Sequence, residues 1–360
     1  MAMSKLDESD ALHARARAFV TAFTASRLWS DGKAFDCLAR DIAEFQARYI
    51  PGYARLCRSA ASRPSVLAFP AVPTDAFRVA RVSVWEEHET PIAFRTSGTT
   101  GPRGTHWFRT CATYDAGAVA FARHALDVDR ALPVIVIGPS PAEQPDSSLV
   151  HMIAELVATL GPPQADAPTY FIQDGILDLA ALDERVAKLL YEGVDEVLVL
   201  GTSLAYAHLL DALAEAKFRL PERARVMQTG GFKTSERELD AATLRRDIAR
   251  AFCIDARAVV SEYGMTELSS QFWETTTGAM NVYVEPPWAR VIPVDAETLL
   301  PVQDGDVGLA RIEDLLNVDS AVAIVTADRV RRVQGGFELL GRMPGAPPRG
   351  CSIATEEMLR

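Results

Sequence analysis

Cysteine is scarce and unpatterned in this sequence. Five residues, Cys37, Cys57, Cys111, Cys253 and Cys351, are widely separated and never form a C-x-x-C pair. An odd, scattered set excludes a disulfide framework and a zinc site, and most of the five read as small buried hydrophobes. Long apolar runs are missing too. Nothing approaches the ~18 residues needed to span a bilayer. The amino terminus passes from Met1, Ala2, Met3, Ser4 and Lys5 straight into Asp7, Glu8 and Asp10, without the apolar core of a secretory signal. These absences predict a cytoplasmic chain with no membrane insertion. Positive charge is in deficit: 37 Lys and Arg stand against 48 Asp and Glu, a formal net charge of −11. That balance argues against a nucleic-acid partner, which needs a basic face, and leaves room for a small anionic ligand at a local site of opposite sign. A Walker A loop, G-x-x-x-x-G-K-[ST], is absent, as are internal repeats and low-complexity tracts.

What is present is an alternation of helix and strand. With 360 residues, 48% hydrophobic and 24% charged, the chain is globular in composition and has the length of about two domains. Phe19, Phe23, Leu28, Phe35, Leu38, Ile42 and Phe45 recur largely at helical intervals and predict helices over the first ~60 residues. Pro64, Pro70 and Pro73 then punctuate an extended stretch. Helices are expected over 113–126, 179–190, 204–217 and 236–252, and buried strands over 133–138, 197–200, 225–228 and 258–261. This is the pattern of an α/β fold with a parallel sheet, right-handed crossovers and helices on both faces. Past Trp273 the segments shorten, as at 280–284, 289–294 and 321–325, and predict a smaller β-rich subdomain. The expected divisions are a helical segment over 1–64, an α/β core over 65–272, the β-rich subdomain over 273–340 and a hinge-like tail over 341–360.

One run of nine residues carries chemistry openly. Thr96, Ser97, Gly98, Thr99, Thr100, Gly101, Pro102, Arg103 and Gly104 hold three glycines, four hydroxyls and one cation. Glycines let backbone N–H groups converge, hydroxyls add donors, and a guanidinium meets a phosphate in a bidentate fork. Such a loop suits a polyphosphate.

The run resembles the phosphate loop of the adenylate-forming superfamily, which includes acyl-CoA synthetases, aryl-CoA ligases and peptide-synthetase adenylation domains, with Arg103 in place of the usual lysine. Ser261, Glu262, Tyr263, Gly264, Met265, Thr266 and Glu267 resemble its Y-G-x-T-E motif. The resemblance implies ATP and Mg²⁺ as cofactors, with the Tyr263 ring against the adenine, Thr266 at the α-phosphate and Glu267 on the metal. Thr229, Gly230 and Gly231 resemble the glycine pair that borders the adenine. Asp328, after Thr326 and Ala327, resembles the aspartate that holds the ribose hydroxyls, and Gly341 with Arg342 resembles the hinge. The implied fold is the superfamily's large N-terminal domain, with parallel sheets flanked by helices and a smaller β-rich subdomain. The superfamily normally continues past the hinge into a lid domain with a lysine that assists adenylation. This sequence ends at Arg360, so the resemblance implies a truncated member without the lid, and no residue is assigned as that lysine. That layout resembles the acyl-protein synthetases of bacterial luminescence, which activate a fatty acid and pass it toward a reductase. Pro70, Ala71, Val72, Pro73, Phe77 and Arg78, and at the end Arg349, Gly350, Cys351 and Ser352, share that family's style. The resemblance covers roughly 65–355.

The chemistry read from the residues has the same outline. A carboxylate is a poor electrophile, and attack on the α-phosphate of ATP turns its oxygen into a good leaving group. The work is to neutralise phosphate charge and align two anions. Thr99, Arg103, Thr266 and Glu267 are the expected catalytic set, with Thr96, Ser97, Gly98, Thr100, Gly101, Gly104, Gly230, Gly231, Tyr263, Gly264, Asp328 and Arg342 around the nucleotide. Cys351 lies two residues from Arg349, whose guanidinium favours the thiolate needed to attack an acyl-adenylate. The luminescence synthetases carry an acyl group on a cysteine near their C-terminus, which implies the same role here; an inert tail cysteine is the alternative. Pocket candidates by position are Ser147, Ser148, His151, Thr202, Ser203, Phe232 and Trp273.

The expected function is ATP-dependent activation of a small-molecule carboxylic acid, a fatty acid by resemblance, followed by acyl transfer to a thiol, an acyl-accepting protein or a reductase. Two alternatives stay open in the sequence. One is an aromatic carboxylate of the phenazine type, in secondary metabolism. The other is a non-catalytic nucleotide-binding module, against which retention of Glu267 speaks.

Overall fold

The computed structural model of the 360-residue chain describes residues 3–26, 32–61, 67–97, 102–163, 169–214, 216–230, 241–345 and 349–359. In chain order, three helices open it: α1 (Lys5–Ser26), α2 (Gly32–Tyr49) and α3 (Pro51–Ala60). The sequence expected them from apolar spacing, and α2 buries Phe35, Leu38, Ile42 and Phe45 along one stripe. Pro51 starts α3 at a position where a missing N–H costs no hydrogen bond. Next come β1 (Val72–Pro73), α4 (Ala76–Val79), β2 (Ile92–Arg95), β3 (Thr105–Phe108) and α5 (Ala112–Ala125).

The alternating stretch follows: β4 (Val134–Ile137), α6 (Ser148–Leu160), β5 (Ile172–Gln173), β6 (Ile176–Leu177), α7 (Leu179–Tyr191), β7 (Leu198–Thr202), α8 (Ser203–Leu213), β8 (Arg225–Thr229), α9 (Ala241–Phe252), β9 (Val259–Tyr263) and β10 (Phe272–Trp273). The chain closes with β11 (Ala289–Val294), β12 (Val307–Asp314), β13 (Ala323–Val333), β14 (Gly336–Arg342) and α10 (Arg349–Leu359). Among the described residues no helix is long and apolar enough to cross a membrane.

The chain divides into two compact units. The first comprises Met1–Ala120, Met265–Gln271 and Val282–Arg360, and the second Phe121–Gly264 and Phe272–Asn281. In the second, strands run in the order β10-β9-β8-β7-β4. β4, β7, β8 and β9 are parallel, and β10 adds an antiparallel edge. All four residues of β4 are buried, as a parallel strand covered on both faces requires. Its core gathers Ile135, Val199, Tyr206, Leu209, Val226 and Phe252. Side chains start the helices: the Asp178 carboxylate accepts from Ala181 N at 2.9 Å to cap α7.

In the first unit β11, β12, β13 and β14 form an antiparallel sheet, and the short β1 lies parallel beside β13. β2 and β3 form a separate antiparallel pair. Three details depart from the sequence reading. Segment 280–284 forms no continuous strand: Tyr283 makes an isolated bridge to Phe337, and Asn281 at φ 64° breaks the extended run. α8 stops at Leu213 rather than Lys217, because Ala214 takes φ 51°. The cysteines are not mostly buried either: Cys37 and Cys253 are exposed and Cys57 is half-buried, leaving Cys111 and Cys351 inside.

Candidate active site

The phosphate-loop run joins β2 to β3. These strands pair from Ile92 opposite Phe108 to Arg95 opposite Thr105, so the two ends of the run are held side by side. Its base is stitched: Thr96 N donates to Gly104 O at 2.9 Å, and Gly104 N donates to Thr96 Oγ1 at 2.9 Å. Arg103 Nε donates to Thr96 O at 2.7 Å, and a terminal nitrogen reaches Arg95 O at 3.2 Å. Part of the donor fork expected for phosphate is thus turned onto the loop's own base. Ser97 is exposed beside Thr96. Gly98, Thr99, Thr100 and Gly101 lie outside the described residues.

Met265–Gln271 is an excursion of the chain from the second unit into the first, and it carries Thr266 and Glu267. Three side chains hold its backbone. His106, on β3, meets Thr266 O through Nδ1 at 2.8 Å; a carbonyl only accepts, so Nδ1 carries the proton. Asn317 Nδ2 donates to Glu267 O at 2.8 Å and to Ala321 O at 3.1 Å. Asp314 Oδ2 accepts from Ser269 N at 2.9 Å and Ser270 N at 2.8 Å, while its Oδ1 takes the Ser270 hydroxyl at 2.6 Å. Asp314 is wholly buried, and desolvation pushes its carboxyl up to about 6 in spite of these donors. Burial holds the His106 imidazole down at about 4, hence neutral.

Glu267 itself is buried, 7% exposed. Desolvation pushes its carboxyl up to about 7; Arg342 opposes this, whereas Asp75 and Asp328 add to it. Asp328 stands opposite Arg342 in the β13–β14 register. Gly341, before Arg342, takes φ 75°, a left-handed turn that favours glycine. Three residues singled out in the sequence, Glu267, Asp328 and Arg342, therefore share one electrostatic neighbourhood, with Asp75 as a fourth member.

Cys351 sits in the first turn of α10, 5% exposed, packed with Ala71, Val294, Leu309, Ala323 and Val325. Burial first, and the Asp75 carboxylate second, push its thiol up to about 11. The expectation that Arg349 lowers this pKa is corrected: the apolar cluster and a negative neighbour both oppose the thiolate. Asp75 bears on Glu267 and Cys351 alike.

In the second unit the named residues gather at the carboxyl ends of the parallel strands, the edge where open α/β sheets bind ligands. Gly230, at φ 105°, follows β8, Tyr263 ends β9 with Gly264 after it, and Ser203 follows β7. Thr202, Thr229, Glu262 and Trp273 form one cross-strand row at this edge. Tyr263 is 8% exposed, and its ring centroid lies 6.0 Å from that of Phe272. Burial pushes Glu262 up to about 7, and its carboxylate accepts the Thr229 hydroxyl. Arg245 pairs with Glu274, which also takes Ser261 N at 2.8 Å.

Several pocket candidates are engaged by their own fold. Ser147 and Thr202 cap α6 and α8, accepting from Val150 N at 3.3 Å and Ala205 N at 3.0 Å. Ser203 is 1% exposed and donates to Thr229 O at 3.3 Å, and Trp273 is completely buried. Ser148 and His151 lie half-buried on the first turn of α6. Gly231 and Phe232 lie outside the described residues. Asp75, His106, Asp314 and Asn317 were not singled out in the sequence; the only trace there is an Asp and an Asn three residues apart at the end of an apolar strand.

Comparison with known proteins gives these features a family. The model of the family "Acyl-protein synthetase, LuxE" matches residues 43–359. The long-chain-fatty-acid–luciferin-component ligase of Aliivibrio fischeri is 24% identical over 155 residues, 40% of either chain. ATP-bound MatB from Rhodopseudomonas palustris superposes with a TM-score of 0.50 at 14% identity, over 79% of this chain and 52% of that one. A 2-hydroxyisobutyryl-CoA ligase in complex with 2-HIB-AMP and CoA superposes with a TM-score of 0.62 at 16% identity, over 86% of this chain and 68% of its own. This chain thus spans about half the length of MatB. At such identities the likeness is one of fold, that of adenylate-forming ligases, as the sequence implied. Matched over 43–359, with the phosphate-loop hairpin and the Glu267 loop within the match, the chain belongs to the acyl-protein synthetase (LuxE) family.

Proposed function

We propose that this chain activates a carboxylic acid as its acyl-adenylate and hands the acyl group to a thiol. A carboxylate oxygen attacks the α-phosphorus of ATP, the bond to the β-phosphate bridge breaks, and pyrophosphate leaves. A thiolate then attacks the acyl carbon and AMP leaves. A fatty acid is the favoured substrate, on the likeness to the long-chain-fatty-acid ligase of Aliivibrio fischeri, and an acyl-accepting protein is the favoured final partner.

The observation that carries this reading is the state of Glu267. It is buried on a loop whose backbone is tied to His106, Asn317 and Asp314, and desolvation pushes its carboxyl up to about 7, with Asp75 and Asp328 adding to the shift and Arg342 opposing it. A carboxylate oxygen on a loop whose backbone is held in this way suits a hard divalent cation. Glu267 would hold Mg²⁺, which when bound supplies charge neutralisation to the phosphates. In this reading Thr266, with Thr96, Ser97, Thr100, Arg103 and Gly104 of the glycine-rich run, binds phosphate oxygens, Asp328 holds the ribose, and Tyr263 with Gly230 borders the base. Cys351 is the acyl acceptor within the chain. Because its thiol is buried and held up near 11, acylation requires α10 to expose it or a base to take its proton.

The test is ATP- and Mg²⁺-dependent pyrophosphate release with hydroxylamine as trap, across fatty, benzoic and polycyclic aromatic acids. The reading expects a hydroxamate from the fatty acids and its loss in Glu267→Gln. Hydroxamate from aromatic acids alone would replace the substrate class, and ATP binding without pyrophosphate from any acid would contradict the activity. Cys351→Ser should abolish self-acylation and spare pyrophosphate release.

A further inference from the structure

His106 lies two residues past the phosphate-loop run, on β3, opposite Phe94 in the hairpin register. It is 1% exposed and wedged between rings, with Phe108 at 4.1 Å and Phe77 at 5.8 Å between centroids. A ring so confined has little freedom to rotate. Its Nδ1–H is spent on Thr266 O at 2.8 Å, while Asn317 fixes Glu267 O at 2.8 Å. The two carbonyls that bracket the Glu267 backbone are therefore each tied to a buried side chain, and this sets the direction in which the Glu267 side chain leaves the chain. Thr96 and Arg103 close the same hairpin from the other end.

We propose that His106 is a positioning residue that locks the Thr266–Glu267 peptide to strand β3, so that the acidic side chain keeps one fixed spacing from the base of the hairpin at Thr96 and Gly104. The proposal rests on the adenylating function proposed above. His106 touches neither acid nor nucleotide; it acts through the Thr266 carbonyl. A ring that served only to fill space would be replaceable by any side chain of its volume. One that serves as a donor is replaceable only by a side chain that puts an N–H at the same point. Asn places its amide nitrogen near the position of Nδ1, whereas Gln carries its amide one carbon farther, near Nε2.

Four proteins decide the matter: wild type, His106→Asn, His106→Gln and His106→Phe. Two quantities are read on each, acid-dependent ATP–pyrophosphate exchange and the rise in Tm caused by ATP with Mg²⁺ over ATP with EDTA. Losing an outer-shell hydrogen bond that orients a metal ligand costs about 10- to 100-fold in metal affinity or activity, and a bond that orients the ligand's backbone is taken on the same scale. Accordingly Gln and Phe should lose that much in kcat, with a raised Mg²⁺ requirement and a diminished Mg²⁺-dependent rise in Tm. Asn should stay within about threefold of wild type, since it keeps the donor. Equal values for Asn, Gln and Phe, in kcat and in the Mg²⁺-dependent rise, would overturn the proposal. Should His106→Phe fail to fold, the Asn and Gln pair separates donor from space-filler equally well. If wild type exchanges with no acid, the adenylating reading fails, and the Mg²⁺-dependent rise in Tm still decides the role of His106.

Discussion

Asn317 donates to the carbonyl oxygen of Glu267 at 2.8 Å, and three residues earlier Asp314 collects the backbone N–H groups of Ser269 and Ser270. The turn after β12 is thus the seat of the Glu267 loop. Both residues are buried, so their polar atoms have no water to fall back on.

Asp314→Ala should be one of the most damaging changes in this unit. It orphans the amides of Ser269, Ser270 and Leu316 and the Ser270 hydroxyl at once. A loss of about 3 kcal/mol or more is expected, since each unsatisfied buried group costs roughly 1–3 kcal/mol. Asp314→Asn keeps a carbonyl oxygen in place and should lose less. Urea unfolding of the two variants checks the order.

Glu262 predicts a pH dependence of stability in the other unit. Its folded pKa, about 7, lies above the ordinary value of 4.5. Between these values the folded state holds the proton more tightly than the unfolded chain, so stability from this group is fully present below about pH 4.5 and is lost as pH rises through about 7. Glu262→Gln removes the ionisation and keeps an acceptor for Thr229. It should raise Tm at pH 8 and change it little at pH 4.5, as thermal melts across that range would show; a gain of equal size at both pH values would contradict the assignment.

The cysteines should react in an order set by burial. Cys37 and Cys253 are exposed, whereas Cys351 is buried with its thiol held up near 11. Mass-mapped alkylation of the native protein at pH 7.5 should label the first two quickly and Cys351 orders of magnitude more slowly, because the thiolate is the attacking form. Labelling of Cys351 as fast as Cys253 would show that its environment is not the apolar cluster seen here.

Much of the second unit was legible in the sequence because its signals are local. The β-branched run at 133–138 and the apolar run at 197–200 declare buried strands, and β4 and β7 lie there. The Y-G-x-T-E stretch was legible as a motif for the same reason. What holds that stretch was not. His106 sits in a strand whose neighbours are aromatic and reads as an ordinary alternation, and Asp75 looks like one more turn carboxylate. Their significance comes from partners remote in the chain: His106 meets Thr266 across 160 residues, and Asp75 acts on Glu267. The acidity of Cys351 is illegible for a related reason. Arg349 is near in sequence, but apolar burial and Asp75 dominate in space.

The central claim is that a carboxylate oxygen forms a bond to the α-phosphorus of ATP. Incubating the protein with ATP, Mg²⁺, hydroxylamine and a fatty acid labelled with ¹⁸O in both carboxylate oxygens tests it most directly. Attack on the α-phosphorus places one labelled oxygen in AMP, because the acyl–oxygen bond is the one that later breaks. Mass spectrometry should find AMP carrying a single ¹⁸O and pyrophosphate carrying none. Label in inorganic phosphate, with ADP as the nucleotide product, would mean attack at the γ-phosphorus and would contradict the account.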